Sequence, residues 1–140
     1  MNIETSITAD YIPSDDEPFM NDSQKEFFRL KLQEWKDSIL DQSRDTVQAM
    51  QDDTTNIPDL ADRASVETDR ALELRTRDRQ RKLISKIDAA LRRIDDGSYG
   101  YCEVTGDPIS LKRLAARPIA TLSLEAQEMH ERREKVHRDA

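Results

Sequence analysis

Apolar residues along this chain recur at helical rather than strand spacing. Phe28, Leu32, Trp35 and Ile39 follow one another at steps of four, three and four, the a/d spacing of a coiled coil. Leu40, Val47 and Met50 carry the stripe on less regularly. A second stripe, Leu83, Ile87, Ala90 and Ile94, has Ile84 and Leu91 alongside it. Between the stripes, residues 73–82 are dominated by charge, with Leu74 the one apolar position. The pattern predicts a first helix from Asp22 to about Asp52, capped by Asp22 or by Ser23 with Glu26 three residues on. Its length is roughly 46 Å at 1.5 Å per residue. A second helix runs from near Leu60 to about Asp95. The sharp break between them, Asn56-Ile57-Pro58-Asp59-Leu60-Ala61-Asp62, stops one helix and lets Asp59 cap the next. Folded back on each other, the helices set Leu83–Ile94 opposite Phe28–Ile39. Residues 22–96 then form an antiparallel coiled-coil hairpin with an apolar base and a tip at 53–62.

The flanking stretches read differently. Residues 1–21 contain Pro13, Pro18 and Ser14-Asp15-Asp16-Glu17, and are expected to be mostly disordered. Tyr11, Ile12, Phe19 and Met20 are their apolar residues. Gly97 stops the second helix. Residues 97–140 then hold a turn-rich stretch, a short helix over Leu111–Ala116 and a last helix from near Ser123. The fold class expected is all-α: a long antiparallel coiled-coil hairpin with a small globular head and a C-terminal helix.

Composition narrows the function classes. Hydrophobic and charged residues each make up 36% of the 140 residues. That is too polar for a compact globule and suits solvated helices with a narrow buried stripe. The net charge of −7 is unevenly placed: residues 1–22 carry six acids and no Lys or Arg, while residues 63–93 carry ten basic and five acidic residues. An acidic chain with one basic helix is a poor non-specific DNA binder, which needs phosphate neutralisation, and suits a protein partner with charged patches. No apolar run is long enough for a membrane span and no signal-peptide pattern opens the chain, so a cytoplasmic protein is expected. One Cys excludes an intramolecular disulfide.

Cys102-x-x-Thr105 is followed, eighteen residues on, by Ser123-x-x-Ala126. This is the spacing of a four-Cys zinc site, and Gly106 suits its tight knuckle. Thr105, Ser123 and Ala126 cannot complete a stable tetrahedral shell. His130 and His137 lie far along the last helix, without finger spacing. Zinc is therefore not expected, and Cys102 reads first as a small buried residue, with a reactive thiol as the alternative. Tyr99, Tyr101, Val104, Ile109, Leu111, Leu114, Ile119, Leu122 and Leu124 are the candidates to hold such a head by packing, with Ser123 capping the last helix.

Several motifs in order then resemble one family. Asp59-x-x-Asp62-x-Ala64, Glu73-Leu74-Arg75-x-Arg77-Asp78-Arg79-x-Arg81-Lys82-Leu83-Ile84, Tyr99-Gly100-Tyr101-Cys102-Glu103 and Arg113-Leu114-x-Ala116-Arg117-Pro118 resemble the DksA/TraR family of bacterial RNA polymerase-binding transcription factors. The likeness covers roughly Glu17 to Lys135. It implies a zinc-finger-like head and a coiled coil that enters the secondary channel of RNA polymerase, placing an acidic tip near the active centre. It also implies a monomer that reads no DNA sequence, alters open-complex lifetime in the stringent response and works with the alarmone guanosine tetraphosphate (ppGpp). By that likeness Asp59, Asp62 and Ala64 are tip residues, Arg79 is a polymerase contact, and Leu83, Lys86, Arg117 and Gln127 match the alarmone pocket. Gln127 departs from the family, where Lys is common, and one missing cation weakens phosphate affinity.

Each motif has a plainer reading. Asp59 and Asp62 satisfy a helix start, the run from Arg75 to Lys82 is a solvated face, and Arg117 packs beside Pro118. Two rival functions use the same hairpin. A Gre-type factor would hold Mg²⁺ on the tip carboxylates and stimulate transcript cleavage, and a plain coiled-coil adaptor would tolerate tip substitutions.

Overall fold

The computed structural model describes residues 7–53 and 60–139, with side chains for 7–49, 51 and 63–138. Four helices follow in order: α1 (Asp22–Asp53), α2 (Leu60–Asp96), α3 (Leu111–Ala116) and α4 (Leu124–Asp139). Their ends lie within one residue of those expected from the apolar periodicity. Among the described residues there is no strand, only an isolated antiparallel bridge between Tyr101 and Pro108. The all-α expectation holds.

The chain divides into two units. The second, Gln33–Asp88, is a pair of antiparallel helical segments from α1 and α2. Ile39 and Ile87 are buried there. Lys36 Nζ meets Asp88 Oδ1 at 2.8 Å, and Ser43 Oγ donates to Gln80 Oε1 at 2.8 Å. A step of seven forward on α1 is thus met by a step of eight back along α2, as two antiparallel helices side by side require. Such half-exposed pairs contribute at most about 1 kcal/mol each and fix register more than stability. Charged residues dominate the middle of α2 in this unit, where Leu72 and Leu74 stand exposed.

The first unit joins residues up to Leu32 with those from Ala89 onward. Its core gathers Phe28, Leu32, Ala90, Ile94, Tyr99, Ile109 and Leu114, all buried. Phe28 stacks edge-on with Phe27 (centroids 5.2 Å apart) and tilts against Tyr99 (5.6 Å). Fully burying an apolar side chain of this size contributes about 1.5–3 kcal/mol. Arg29 Nη1 to Asp95 Oδ1, 2.8 Å, repeats the cross-helix pairing here.

Helix ends follow local chemistry. Gly97, at φ 85°, ends α2 in a Schellman-type stop, with the Ser98 N–H donating to Arg93 O at 3.0 Å. Ser123 caps α4, its Oγ accepting from the Ala126 N–H at 3.2 Å. The α1 start differs from expectation. Asn21, not Asp22 or Ser23, is the cap, its Oδ1 accepting from the Gln24 N–H at 2.9 Å. Gln24, at the third helical position, reaches back to accept from the Met20 N–H at 2.8 Å. This is a capping box shifted one residue outward.

The N-terminal segment also differs. Sequence composition pointed to mostly disordered chain over residues 1–21. Within residues 7–21 several side chains instead pack in the first unit: Met20 is buried, and Phe19 stacks on Tyr101 with centroids 5.3 Å apart, while Ile12 stays exposed. The cause is a match that composition does not weigh. Gly100 lacks a Cβ, which would sit 3.1 Å from the Phe19 ring and 3.2 Å from Met20 Cε. Two apolar side chains thereby gain a seat sufficient to order a short acidic segment.

Candidate functional site

The degenerate zinc knuckle is the best-defined of the candidate sites. Gly100 and Tyr101 lead in, the Ile109 N–H donates to Gly100 O at 2.7 Å, and the Cys102 N–H donates to Asp107 O at 2.8 Å. The turn between them closes with the Gly106 N–H on Cys102 O at 2.9 Å, where Gly106 sits at φ 75°. The Glu103 N–H on Thr121 O, 2.9 Å, ties this loop to the segment before α4. The four positions spaced as zinc ligands hold other chemistry. Ala126 has no donor atom and is buried at 4% exposure. Ser123 Oγ is committed to the α4 cap, and Thr105 Oγ1 accepts from the Asp107 N–H at 3.2 Å. These residues do not fit a zinc ion.

Cys102, 3% exposed, sits where a metal-bound thiolate would. Burial pushes its thiol up, but hydrogen bonds from the Thr105 hydroxyl and from the backbone N–H groups of Ser123, Thr105 and Val104 outweigh that and lower it from 9.0 to about 6. Because the folded value lies below the ordinary one, the thiolate's contribution is complete above about pH 9. It shrinks as pH falls and is gone below about pH 6. Unfolding free energy of the wild type is therefore expected to rise by up to roughly 1.4 kcal/mol per pH unit between those limits, relative to Cys102→Ala. Urea titrations of the two proteins at pH 6, 7, 8 and 9 check this, and parallel profiles would refute it.

The remaining candidate residues fall in separate places. Asp59 lies outside the described residues. Asp62 is the third residue of α2, and its side chain likewise lies outside the description. Ala64 is exposed on α2, its carbonyl accepting from the Thr68 hydroxyl at 3.0 Å. Arg79 is exposed and makes no ion pair among the described residues. It belongs to a stripe, Arg75, Arg79, Lys82 and Lys86, spaced four, three and four along α2 and exposed throughout. Arg81 turns aside to Asp78.

Leu83, half-buried, and Lys86 lie in the second unit, whereas Arg117 and Gln127 lie in the first. Arg117 is exposed rather than packed, although Pro118 beside it is buried. Its loop is pinned twice: Tyr99 Oη donates to Pro118 O at 2.7 Å, and Arg113 Nε donates to Leu122 O at 2.9 Å. Gln127 Nε2 donates to Glu131 Oε1 at 3.1 Å, so its amide is engaged along α4. Tyr99 and Arg113 as positioning groups were not singled out from the sequence. Both stand inside the motifs, but a bond to a backbone carbonyl leaves no pattern.

Comparison with known proteins agrees with this arrangement. Residues 24–94 match the family model of the DnaK suppressor protein DksA, N-terminal domain, and residues 97–132 match the prokaryotic dksA/traR C4-type zinc finger. The chain is 72% identical over 131 residues to the RNA polymerase-binding transcription factor DksA of Caulobacter vibrioides, covering 94% of this chain and 92% of that one. To the protein of the same name from Escherichia coli it is 44% identical, covering 85% and 79%. The structure of transcription factor DksA2 from Pseudomonas aeruginosa superposes with a TM-score of 0.78 at 39% identity, covering 86% of this chain and 95% of that one. The matched zinc-finger model is a four-Cys one, and this chain keeps Cys102 alone of the four. On the match across both its helical pair and its knuckle, the chain belongs to the DksA/TraR family.

Proposed function

We propose that this protein is a transcription factor that binds RNA polymerase through the secondary channel and acts without chemistry of its own. The observation that carries the reading is the family match across α1, α2 and the knuckle, with relatives named as RNA polymerase-binding factors. In this reading α1 and α2 enter the channel, and Asp59, Asp62 and Ala64 approach the active centre. There the negative charge alters the lifetime of open promoter complexes. The exposed stripe Arg75, Arg79, Lys82 and Lys86 supports an acidic docking surface on the polymerase, with Arg79 as a contact. Its attraction steers association and weakens with salt. Such a partner places the protein in the cytoplasm, and the family likeness implies a monomer; among the described residues no helix is long and apolar enough to cross a membrane.

Guanosine tetraphosphate is the proposed co-regulator. By the family likeness Lys86 and Arg117 each offer a cation to its phosphates and Leu83 is a further contact, each acting together with polymerase. Gln127, held by Glu131, supplies no charge. The alarmone is therefore expected to strengthen promoter inhibition, and Arg117→Ala, outside the docking stripe, is expected to raise the alarmone concentration needed for that increment about tenfold or more while leaving the inhibition seen without alarmone. Transcription from a stable-RNA promoter, with and without alarmone, checks this; equal inhibition in both arms would reject a working pocket. A cleavage assay on a backtracked complex separates the Gre-type rival, since no release of short transcripts is expected.

A further inference from the structure

Residues 7–21 make contacts out of proportion to their acidic, apolar-poor sequence. They are fixed at two points in the first unit. Tyr11 lies edge-on to Phe27 on α1, with ring centroids 6.2 Å apart. Phe19 and Met20 seat on Gly100 and Tyr101. Between these points a single carboxylate oxygen gathers three donors. Glu17 Oε2 accepts from the Tyr11 hydroxyl, from Asn21 Nδ2 at 3.2 Å and from Gln24 Nε2 at 3.3 Å. Gln24 is fully buried, at 0% exposure, and spends its whole amide on the segment. Its Nε2 also donates to Ser14 O at 3.2 Å, and its Oε1 takes the Met20 N–H. A network centred on a buried amide and so fully satisfied is worth more than its members singly, and losing one member leaves its partners short of a bond.

The seat of this segment is the first arm of the knuckle. Gly100 and Tyr101 run directly into Cys102, and the same arm pairs with Ile109 and Pro108. Anything that lifts Phe19 and Met20 uncovers the apolar side of that arm. The segment is short and its hydrogen bonds are local, so it is suited to open on its own ahead of the helices.

We infer that residues 11–20 form a detachable brace on the head, latched by Glu17 on Tyr11, Asn21 and Gln24, and that its release opens the knuckle around Cys102. The latch donors are neutral, so release responds little to salt and strongly to loss of the acceptor oxygen. Glu17→Ala frees the segment, whereas Glu17→Gln keeps an acceptor oxygen in place and retains most of the closure.

The single buried thiol makes the test direct. Full-length wild type, Glu17→Gln and Glu17→Ala are treated under native conditions with a chromogenic disulfide reagent, which reports Cys102 accessibility. Parallel samples are treated briefly with chymotrypsin, which reports exposure of Tyr11 and Phe19. In Glu17→Ala, both rates are expected to rise about tenfold or more, with far-ultraviolet circular dichroism unchanged. Glu17→Gln should remain within about threefold of wild type. Faster cleavage with an unchanged thiol rate would overturn the coupling. No change in either rate would overturn the latch. If Glu17→Ala fails to fold, Tyr11→Phe removes one donor only, and a rise of about threefold in both rates is expected; no rise would again overturn the proposal.

Discussion

Asp62→Asn is expected to abolish the effect on transcription while leaving thermal unfolding nearly unchanged. Asp62 is the third residue of a 37-residue helix. There a carboxylate interacts favourably with the unpaired N–H groups and the helix dipole, a contribution of about 0.3–1 kcal/mol. Asn keeps the shape and much of the capping ability. Among the described residues, the buried apolar side chains of α2 are Ile87, Ala90 and Ile94, twenty-five or more positions further along. The fold therefore depends little on this one charge, whereas the proposed function depends on charge delivered to the active centre. Inhibition of a stable-RNA promoter measured beside a melting curve separates the two roles. A large loss of stability with full activity in the folded fraction would show that Asp62 is only a helix cap.

Tyr99→Ala is expected to destabilise the head by about 3–5 kcal/mol, a large share of the about 5–15 kcal/mol that holds an ordinary domain folded. Tyr99 is buried, its ring packs against Phe28, and its hydroxyl reaches the Pro118 carbonyl. Burial holds the phenol well above its ordinary range, so it remains a neutral donor at any working pH. Tyr99→Phe keeps the ring and orphans the carbonyl, for about 1–3 kcal/mol. Because Pro118 follows Arg117, both changes should also loosen the loop that presents that cation. Urea unfolding followed by near-ultraviolet circular dichroism reads the two variants. A neutral Tyr99→Phe would remove the hydroxyl from the account of how the head holds.

Much of this architecture is written in local pattern. The steps of three and four from Phe28 to Ile39 and from Leu83 to Ile94 place both long helices, because burial of one stripe is the dominant local requirement. Gly97 and Ser123 mark helix ends through backbone chemistry that depends on few neighbours. What sequence did not disclose depends on contacts between distant segments. The seat of Phe19 and Met20 needs the missing Cβ of Gly100, eighty residues away. The state of Cys102 is set by backbone N–H groups of Val104, Thr105 and Ser123, which every residue but Pro carries. The Asn21 cap was hidden by two equally good capping residues just after it. The roles of Asp59, Asp62, Arg79 and the alarmone residues came from family likeness and stand as proposals.

The head also shows how a knuckle holds its shape with other chemistry. Structural zinc commonly supplies much of the folding free energy of a small finger. Here that contribution is spread among a hydrogen-bonded sulfur, the Ser123 cap, the buried Ala126 and the core around Tyr99, Ile109 and Leu114. Each part is modest, and none requires a metal.

The central claim, a polymerase-directed factor whose head stands without zinc, is tested most directly by one measurement. The protein is stripped with a zinc-selective chelator, its metal content is verified, and the chelator is removed. It is then titrated into transcription from a stable-RNA promoter with purified polymerase. Inhibition with the same dose dependence as untreated protein is predicted. Loss of inhibition on stripping, restored by added zinc, would contradict the account of the head, and no inhibition by either form would contradict the proposed function.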